Sequence, residues 1–167
     1  MRKMKILWAP WRSVYIKEIS KEEKGSCIFC KVIAEKDDNK NLVVFRGNKT
    51  FVIMNKYPYN SGHLMVVPYK HVSRIENLDN EELLELSTLI VRSVKVLTEL
   101  YRPDGFNIGM NIGRAAGAGI EDHIHVHIVP RWIGDTNFMP VIGETRVISE
   151  NLTEAYAKIK EAFQKIK

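Results

Sequence analysis

Asp122-His123-Ile124-His125-Val126-His127-Ile128-Val129-Pro130-Arg131 places three of the chain's five histidines at alternate positions. Strict alternation over this length predicts a β-strand, in which successive side chains point to opposite faces. His123, His125 and His127 then share one face. Ile124, Val126 and Ile128 share the other, which enters the core. Imidazoles are poor packing material, because each buried ring nitrogen left without a partner costs about 1–3 kcal/mol. The row therefore points to metal binding or to chemistry on a substrate, with satisfied core histidines as the plain structural alternative. A three-histidine metal site is one chemistry. Alternate positions on a strand lie roughly 6.6 Å apart, so the outer pair is about 13 Å apart. Zinc takes each ligand nitrogen at about 2.0–2.1 Å, and a straight strand does not bring three rings to one ion. The other chemistry divides the labour, with one end histidine structural and the others acting on a substrate.

Outward from this strand, the pattern predicts a short helix over 27–35. Strands are expected over Leu42–Phe45, Thr50–Asn55 and His63–Val67, with turns at Asn48 and Pro58–Gly62. Asp79 opens the clearest helix, with Glu82 three residues on as a capping-box partner. Leu83, Leu86, Ile90, Val94, Leu97 and Tyr101 give it an apolar face, and Pro103 and Gly105 end it. Phe106–Asn111 reads as a further strand, followed by a Gly/Ala-rich loop into the triad. A last amphipathic helix carries Leu152, Tyr156, Ile159, Phe163 and Ile166. Strands grouped around one long helix predict an α+β fold with a largely antiparallel sheet.

The chain of 167 residues is read as one domain. It has an N-terminal arm over 1–20 carrying Trp8, Trp11 and Tyr15, a catalytic core over 27–140 and the C-terminal helix over 150–167. With 45% hydrophobic residues it can bury a core, yet no apolar run approaches the roughly 20 residues of a membrane span. No secretory leader is evident, so a cytoplasmic protein with no membrane partner is expected. The net charge of +5 favours anionic ligands. No run of five basic residues and no interleaved aromatic-basic platform is present, which argues against a nucleic-acid partner. Cys27 and Cys30 are the only cysteines; at this spacing they read as half of a metal site or a redox pair, not as a disulfide framework. Buried free cysteines are the alternative.

The residues resemble the histidine triad family of nucleotide hydrolases and transferases. The resemblance rests on the triad itself and on Ser26-Cys27-Ile28-Phe29-Cys30-Lys31. It takes in Phe51–Asn55 followed by Ser61–Pro68 and His71, and then Gly105–Gly113. In order and spacing these cover about Cys27 to Pro130. Two more segments, Leu7–Arg12 and Pro130–Pro140, resemble the branch that contains bacterial diadenosine tetraphosphate phosphorylases.

That resemblance implies the family's meander-like sheet with a long helix across one face, a C-terminal helix and a two-fold homodimer. It implies a nucleotide substrate, expected to contain adenosine, and no organic cofactor. His125 matches the nucleophile, which would form a covalent nucleotidyl intermediate on a dinucleoside polyphosphate. His127 matches the position that contacts the reacting phosphate, and His63 a histidine that supports the triad. Asn55 matches a position near the ribose hydroxyls, and Asn111 one that contacts the phosphate chain. Gly117-Ala118-Gly119 stands where many members carry Gly-Gln-Ser/Thr, so backbone amides would replace those side-chain contacts. Arg131 could grip phosphate, or be an ordinary surface charge. Cys27, Cys30, His71 and His123 match a closed structural zinc site. The rival functions are a phosphoramidate or dinucleoside polyphosphate hydrolase, a nucleotide-binding regulatory module with little turnover, and a three-histidine metalloenzyme.

Overall fold

The computed structural model describes residues 27–135 and 150–166. The N-terminal arm with Trp8, Trp11 and Tyr15, and Asn137 and Phe138 beyond the triad strand, lie outside the described residues.

Two short helices come first, α1 (Ile28–Glu35) and α2 (Asp38–Asn41). Strands β1 (Val43–Arg46), β2 (Thr50–Met54) and β3 (Leu64–Pro68) follow. The long helix α3 (Asn80–Tyr101) leads to β4 (Gly105–Gly109), β5 (Val126–Arg131) and finally α4 (Leu152–Lys165). Every strand pairing is antiparallel, and the spatial order is β1-β2-β3-β5-β4. The meander therefore stops at β3. Helix α3 carries the chain across to the far edge, and β5 returns between β3 and β4.

Helix α3 starts as its sequence requires. The Asp79 carboxylate accepts from Glu82 N–H, and the Glu82 carboxylate accepts from Asp79 N–H, so two of the helix's unpaired donors are satisfied reciprocally. Its buried face is rotated from the expected one. Leu86, Leu89, Ser93, Val96 and Leu97 are buried, whereas Leu83, Ile90 and Val94 flank the contact. Ser93 escaped the hydrophobic pattern because its hydroxyl donates to Leu89 C=O inside the helix, which lets a polar residue sit in the core. Helix α4 packs beside α3 with Tyr156, Ile159 and Phe163 buried; each such side chain stabilises the fold by about 1.5–3 kcal/mol.

The sheet has two apolar faces. Val52, Leu64, Val66, Val126 and Ile128 face α3 and α4. Val43, Phe51, Ile53, Met65 and Val67 face α1, whose Phe29 and Val32 close that side. The triad belongs to this second face.

One carboxylate ties α3 to the β1–β2 turn. Glu85 accepts backbone N–H bonds from Asn48, Lys49 and Thr50 and a further bond from the Thr50 hydroxyl. Burial pushes its carboxyl up, but the three backbone donors together outweigh that and hold it below the ordinary value of 4.5. A depressed carboxyl contributes stability above its unfolded pKa, and that contribution is lost as pH falls through the folded one. Glu85→Gln turns an amide N–H₂ toward donors, so it is expected to cost about 2–3 kcal/mol near neutral pH. The gap to the wild type should close below about pH 4. Urea unfolding at several pH values checks both; a pH-independent gap would contradict the charge argument.

Candidate active site and metal centre

Strand β5 begins at Val126, three residues later than the alternation predicts. Val66 pairs with Val126, but the next rung would use Pro68, which has no N–H to donate. The Pro68 carbonyl is instead taken by the ring of His123, at 2.9 Å, and Ile124 N–H donates to Val72 C=O. His123 and His125 thus stand on an extended approach to the strand and only His127 on the strand itself. The alternation of faces persists: Ile124, Val126 and Ile128 enter the core under α3, while His123 and His125 are buried against Phe29 of α1.

The hydrogen bonds assign a proton to each ring. His125 Nδ1–H donates to the carbonyl of His123, 2.9 Å away, which leaves the Nε2 lone pair of His125 available. Burial lowers the pKa of this imidazole, against the raising effect of that carbonyl, so the ring is neutral at pH 7. Beside it, Tyr59 N–H donates to His63 Nδ1. That nitrogen is therefore an acceptor, and the proton of His63 sits on Nε2. It is donated to His127 Nδ1, 2.9 Å away. His127 in turn holds its own proton on Nε2. The rings of His125 and His127 lie 4.8 Å apart between centroids. The pair therefore offers one lone pair and one N–H side by side, the complement needed to attack a phosphorus atom and to donate a hydrogen bond to the charge that develops on the group that leaves.

His63 occupies its place because of the turn before it. Gly62 has φ +73°, and a Cβ there would come within 3.1 Å of Leu97 and 3.2 Å of Tyr101. His63 is fully buried, and Tyr59 also lays its ring over His63 and His127, with centroids 4.6 and 5.6 Å away. The sequence reading missed Tyr59 and Phe29. Phe29 lies between the two cysteines of the motif, and a large aromatic between paired ligands was the available signal.

A cleft of about 650 Å³ opens in front of His125. Apolar walls come from Ile28, Phe29, Val32, Leu42, Ile53 and Met65. Asn55 lines it too; its Oδ1 accepts Tyr57 N–H, which leaves the amide N–H₂ as the donor toward the cleft. Ile120 lines the same cleft, and Gly117, Ala118 and Gly119, which precede it in the chain, are not among the lining residues. Gly117 adopts φ +82° at the end of a single 3₁₀ turn, a conformation only glycine adopts without strain. Asn111 is half-buried at the start of that loop, just beyond Gly109, which is registered with His127.

Arg131 is not brought to this group. Its guanidinium forks onto the Asp135 carboxylate at 2.6 and 2.8 Å and donates to Asn107 Oδ1. Six residues of extended chain, roughly 20 Å, separate it from His125. With three of its N–H groups engaged, Arg131 braces β4 against the turn after β5.

The Cys27, Cys30, His71 and His123 side chains converge, with all four ligand atoms within 4.8 Å of one another. Tetrahedral zinc with bonds of about 2.0–2.3 Å requires ligand atoms roughly 3.3–3.8 Å apart. The separations from His123 Nδ1 are 3.2 Å to His71 Nδ1, 3.3 Å to Cys27 Sγ and 3.7 Å to Cys30 Sγ, and Cys30 to His71 is 3.3 Å. The donor set fits. The bond from His123 Nε2–H to Pro68 C=O turns the Nδ1 lone pair toward the cluster, the usual support for a ligating histidine. Burial and the neighbouring Cys27 push the Cys30 thiol up, so without a cation the sulfur keeps its proton, which a bound metal would displace. No other cluster of this kind occurs among the described residues.

A histidine row at an antiparallel sheet, with His125 lining an apolar cleft and His127 beside it, defines a histidine triad protein. The chain belongs to the HIT domain family, whose model matches residues 36–132. It is 40% identical over 153 residues to an AP-4-A phosphorylase of Mycobacterium tuberculosis, covering 89% of this chain and 78% of the relative. It is 30% identical over 106 residues to an adenosine 5′-monophosphoramidase of Schizosaccharomyces pombe, covering 64% and 74%. Among solved structures, a histidine triad nucleotide-binding protein from Sulfolobus tokodaii matches with a TM-score of 0.68 and 29% identity, over 83% of this chain and 93% of that one. A zinc-bound histidine triad family protein from Mycobacterium smegmatis has the same fold, with a TM-score of 0.68 at 24% identity over 84% and 94%. No helix among the described residues is long and apolar enough to cross a membrane.

Proposed function

We propose that the protein is a nucleotidyl transferase that cleaves dinucleoside polyphosphates, with diadenosine tetraphosphate as substrate and inorganic phosphate as acceptor. The observation that carries the reading is the pairing of a neutral His125, its Nε2 lone pair available, with a His127 whose proton is set on Nε2. The 40% identity to a phosphorylase over most of both chains supports the choice of acceptor. His125 Nε2 attacks the α-phosphorus in line with the bridging oxygen. An N–P bond forms, the P–O bond breaks, and the departing nucleotide leaves as its phosphate anion, its oxygen accepting a hydrogen bond from His127 Nε2–H. Phosphate then attacks the same phosphorus, displaces the imidazole and gives up its proton to solvent. Diadenosine tetraphosphate plus phosphate then yields ATP and ADP. Asn55 donates to a ribose hydroxyl, the amides of Gly117–Gly119 receive phosphate oxygens with Asn111 beside them, and Lys31 and Lys56 at the cleft add positive charge.

Zinc held by Cys27, Cys30, His71 and His123 would supply no chemistry to the reaction; as a closed four-ligand site it would cross-link α1 to the catalytic strand. The homodimer is favoured by β4, an edge strand among the described residues with Ile108 half-exposed, and by a nearly fully exposed Ile133 in the turn after β5. Light scattering checks it, and the mass of a single chain in solution would exclude it.

Labelled phosphate tests the acceptor. With phosphate in millimolar excess, label should enter ADP in amounts equal to the ATP released. AMP and ATP as the main products would leave a hydrolase, the reading that the monophosphoramidase relatives favour. No turnover of either kind would leave a nucleotide-binding module.

A further inference from the structure

The walls of the cleft are apolar and read no edge of a bound base, so selectivity must come from its polar rim. At the end of the cleft formed by α1 and α2 stand Glu35, Lys40 and Asn41. Asn41 Nδ2 donates to Glu35 Oε2 at 3.0 Å, and Lys40 Nζ donates to the same oxygen at 3.2 Å. An ionised carboxylate only accepts, so Glu35 admits one orientation of the Asn41 amide, with N–H₂ toward the acid and Oδ1 turned away. The bonds from Asn41 and then Lys40 hold the Glu35 carboxyl below its ordinary range, which keeps it ionised across the working pH. The backbone holds the same place: Asn41 N–H donates to Asp37 C=O, and Asp37 caps α2 through Lys40 N–H.

We infer that Asn41, oriented by Glu35, is the specificity-determining residue of the cleft, and that its Oδ1 accepts from the exocyclic amino group of a 6-aminopurine. A 6-oxo purine of the same shape would turn a carbonyl oxygen toward Oδ1 and be disfavoured. Lys40 does not rescue the oxo base, because its ammonium is already paired with Glu35 and is largely in solvent. The inference rests on the nucleotide reading of the cleft, but it adds a residue-level cause for base selection that the triad does not contain. Glu35 acts through Asn41 and is a positioning residue.

The test compares AMP with IMP, which differ at the 6-position and share ribose and phosphate, by calorimetry on the full-length protein. The wild type should bind AMP about three- to tenfold tighter, the range for one hydrogen bond gained against its loss. Asn41→Ala should weaken AMP to the IMP level and leave IMP within about twofold. Glu35→Gln frees the Asn41 amide to turn its N–H₂ to the base, so the AMP preference should fall to parity or invert. Asn41→Ala that weakens AMP and IMP equally overturns the inference, as does wild type binding both alike; in either case the nucleotide reading survives. Wild type that binds neither nucleotide overturns both.

Discussion

Replacing His125 by alanine is expected to abolish the nucleotidyl-enzyme and to lower turnover by a factor of about 10⁴ or more, the usual scale for loss of a covalent nucleophile. The reasoning is geometric. His125 is the triad ring whose Nδ1 is committed to a backbone carbonyl while its other nitrogen meets the cleft. His127 is a poor substitute, because its Nδ1 already accepts from His63 and its Nε2 carries the proton. The fold should survive, since the truncation opens a cavity beside Phe29 but leaves no buried donor stranded: the His123 carbonyl merely loses one partner. Acid-labile adduct is read by mass spectrometry after rapid quenching, and folding by circular dichroism. A folded variant that still accumulates adduct in wild-type yield would move the nucleophile elsewhere.

The alternation around His125 is what made the site readable. A two-residue period needs only local sterics, so the faces of residues 122–131 followed from the sequence even though the strand itself starts at Val126. The capping box of α3 and the apolar stripe of α4 were legible for the same local reason. Features that depend on distant partners were not. The position of β5 between β3 and β4 reflects sheet order, which no periodicity encodes. Part of the Arg131 fork goes to Asp135, only four residues on, but its bond to Asn107 depends on β4 lying beside β5, which no local pattern shows. Tyr59 sets the His63 tautomer through its backbone N–H, and a backbone donor carries no residue signal. The cleft rim of Glu35 and Asn41 was passed over because a Lys/Glu/Asn-rich connection looks like any solvated turn.

Loss of the Cys27 and Cys30 thiolates should separate stability from chemistry. A metal bound only by the folded state at a thousand times its dissociation constant stabilises by about 4 kcal/mol. For a chain of this length that is roughly 8–16 °C in Tm. Cys27→Ser with Cys30→Ser, or exhaustive chelation of the wild type, is expected to lower Tm by that order, and metal analysis of the untreated protein should return about one zinc per chain. Chemistry at 20–25 °C should change much less, with adduct yield on His125 within a few-fold. The reason is that no ligand of the cluster is the nucleophile itself, and the nearest of them to it in the chain is His123. With the metal gone, the His123 ring is still held by Pro68 C=O, so its own carbonyl stays in place for His125 Nδ1–H. Phe29, packed on both rings, is the path by which any loss would travel, because α1 loses its tether at Cys27 and Cys30 while Phe29 and Val32 remain buried against the sheet. A metal-free protein with unchanged Tm would remove the structural zinc. A metal-free protein that stays folded at 25 °C yet forms no adduct would show instead that the cross-link, and not the Pro68 bond, holds the His123 carbonyl under the nucleophile.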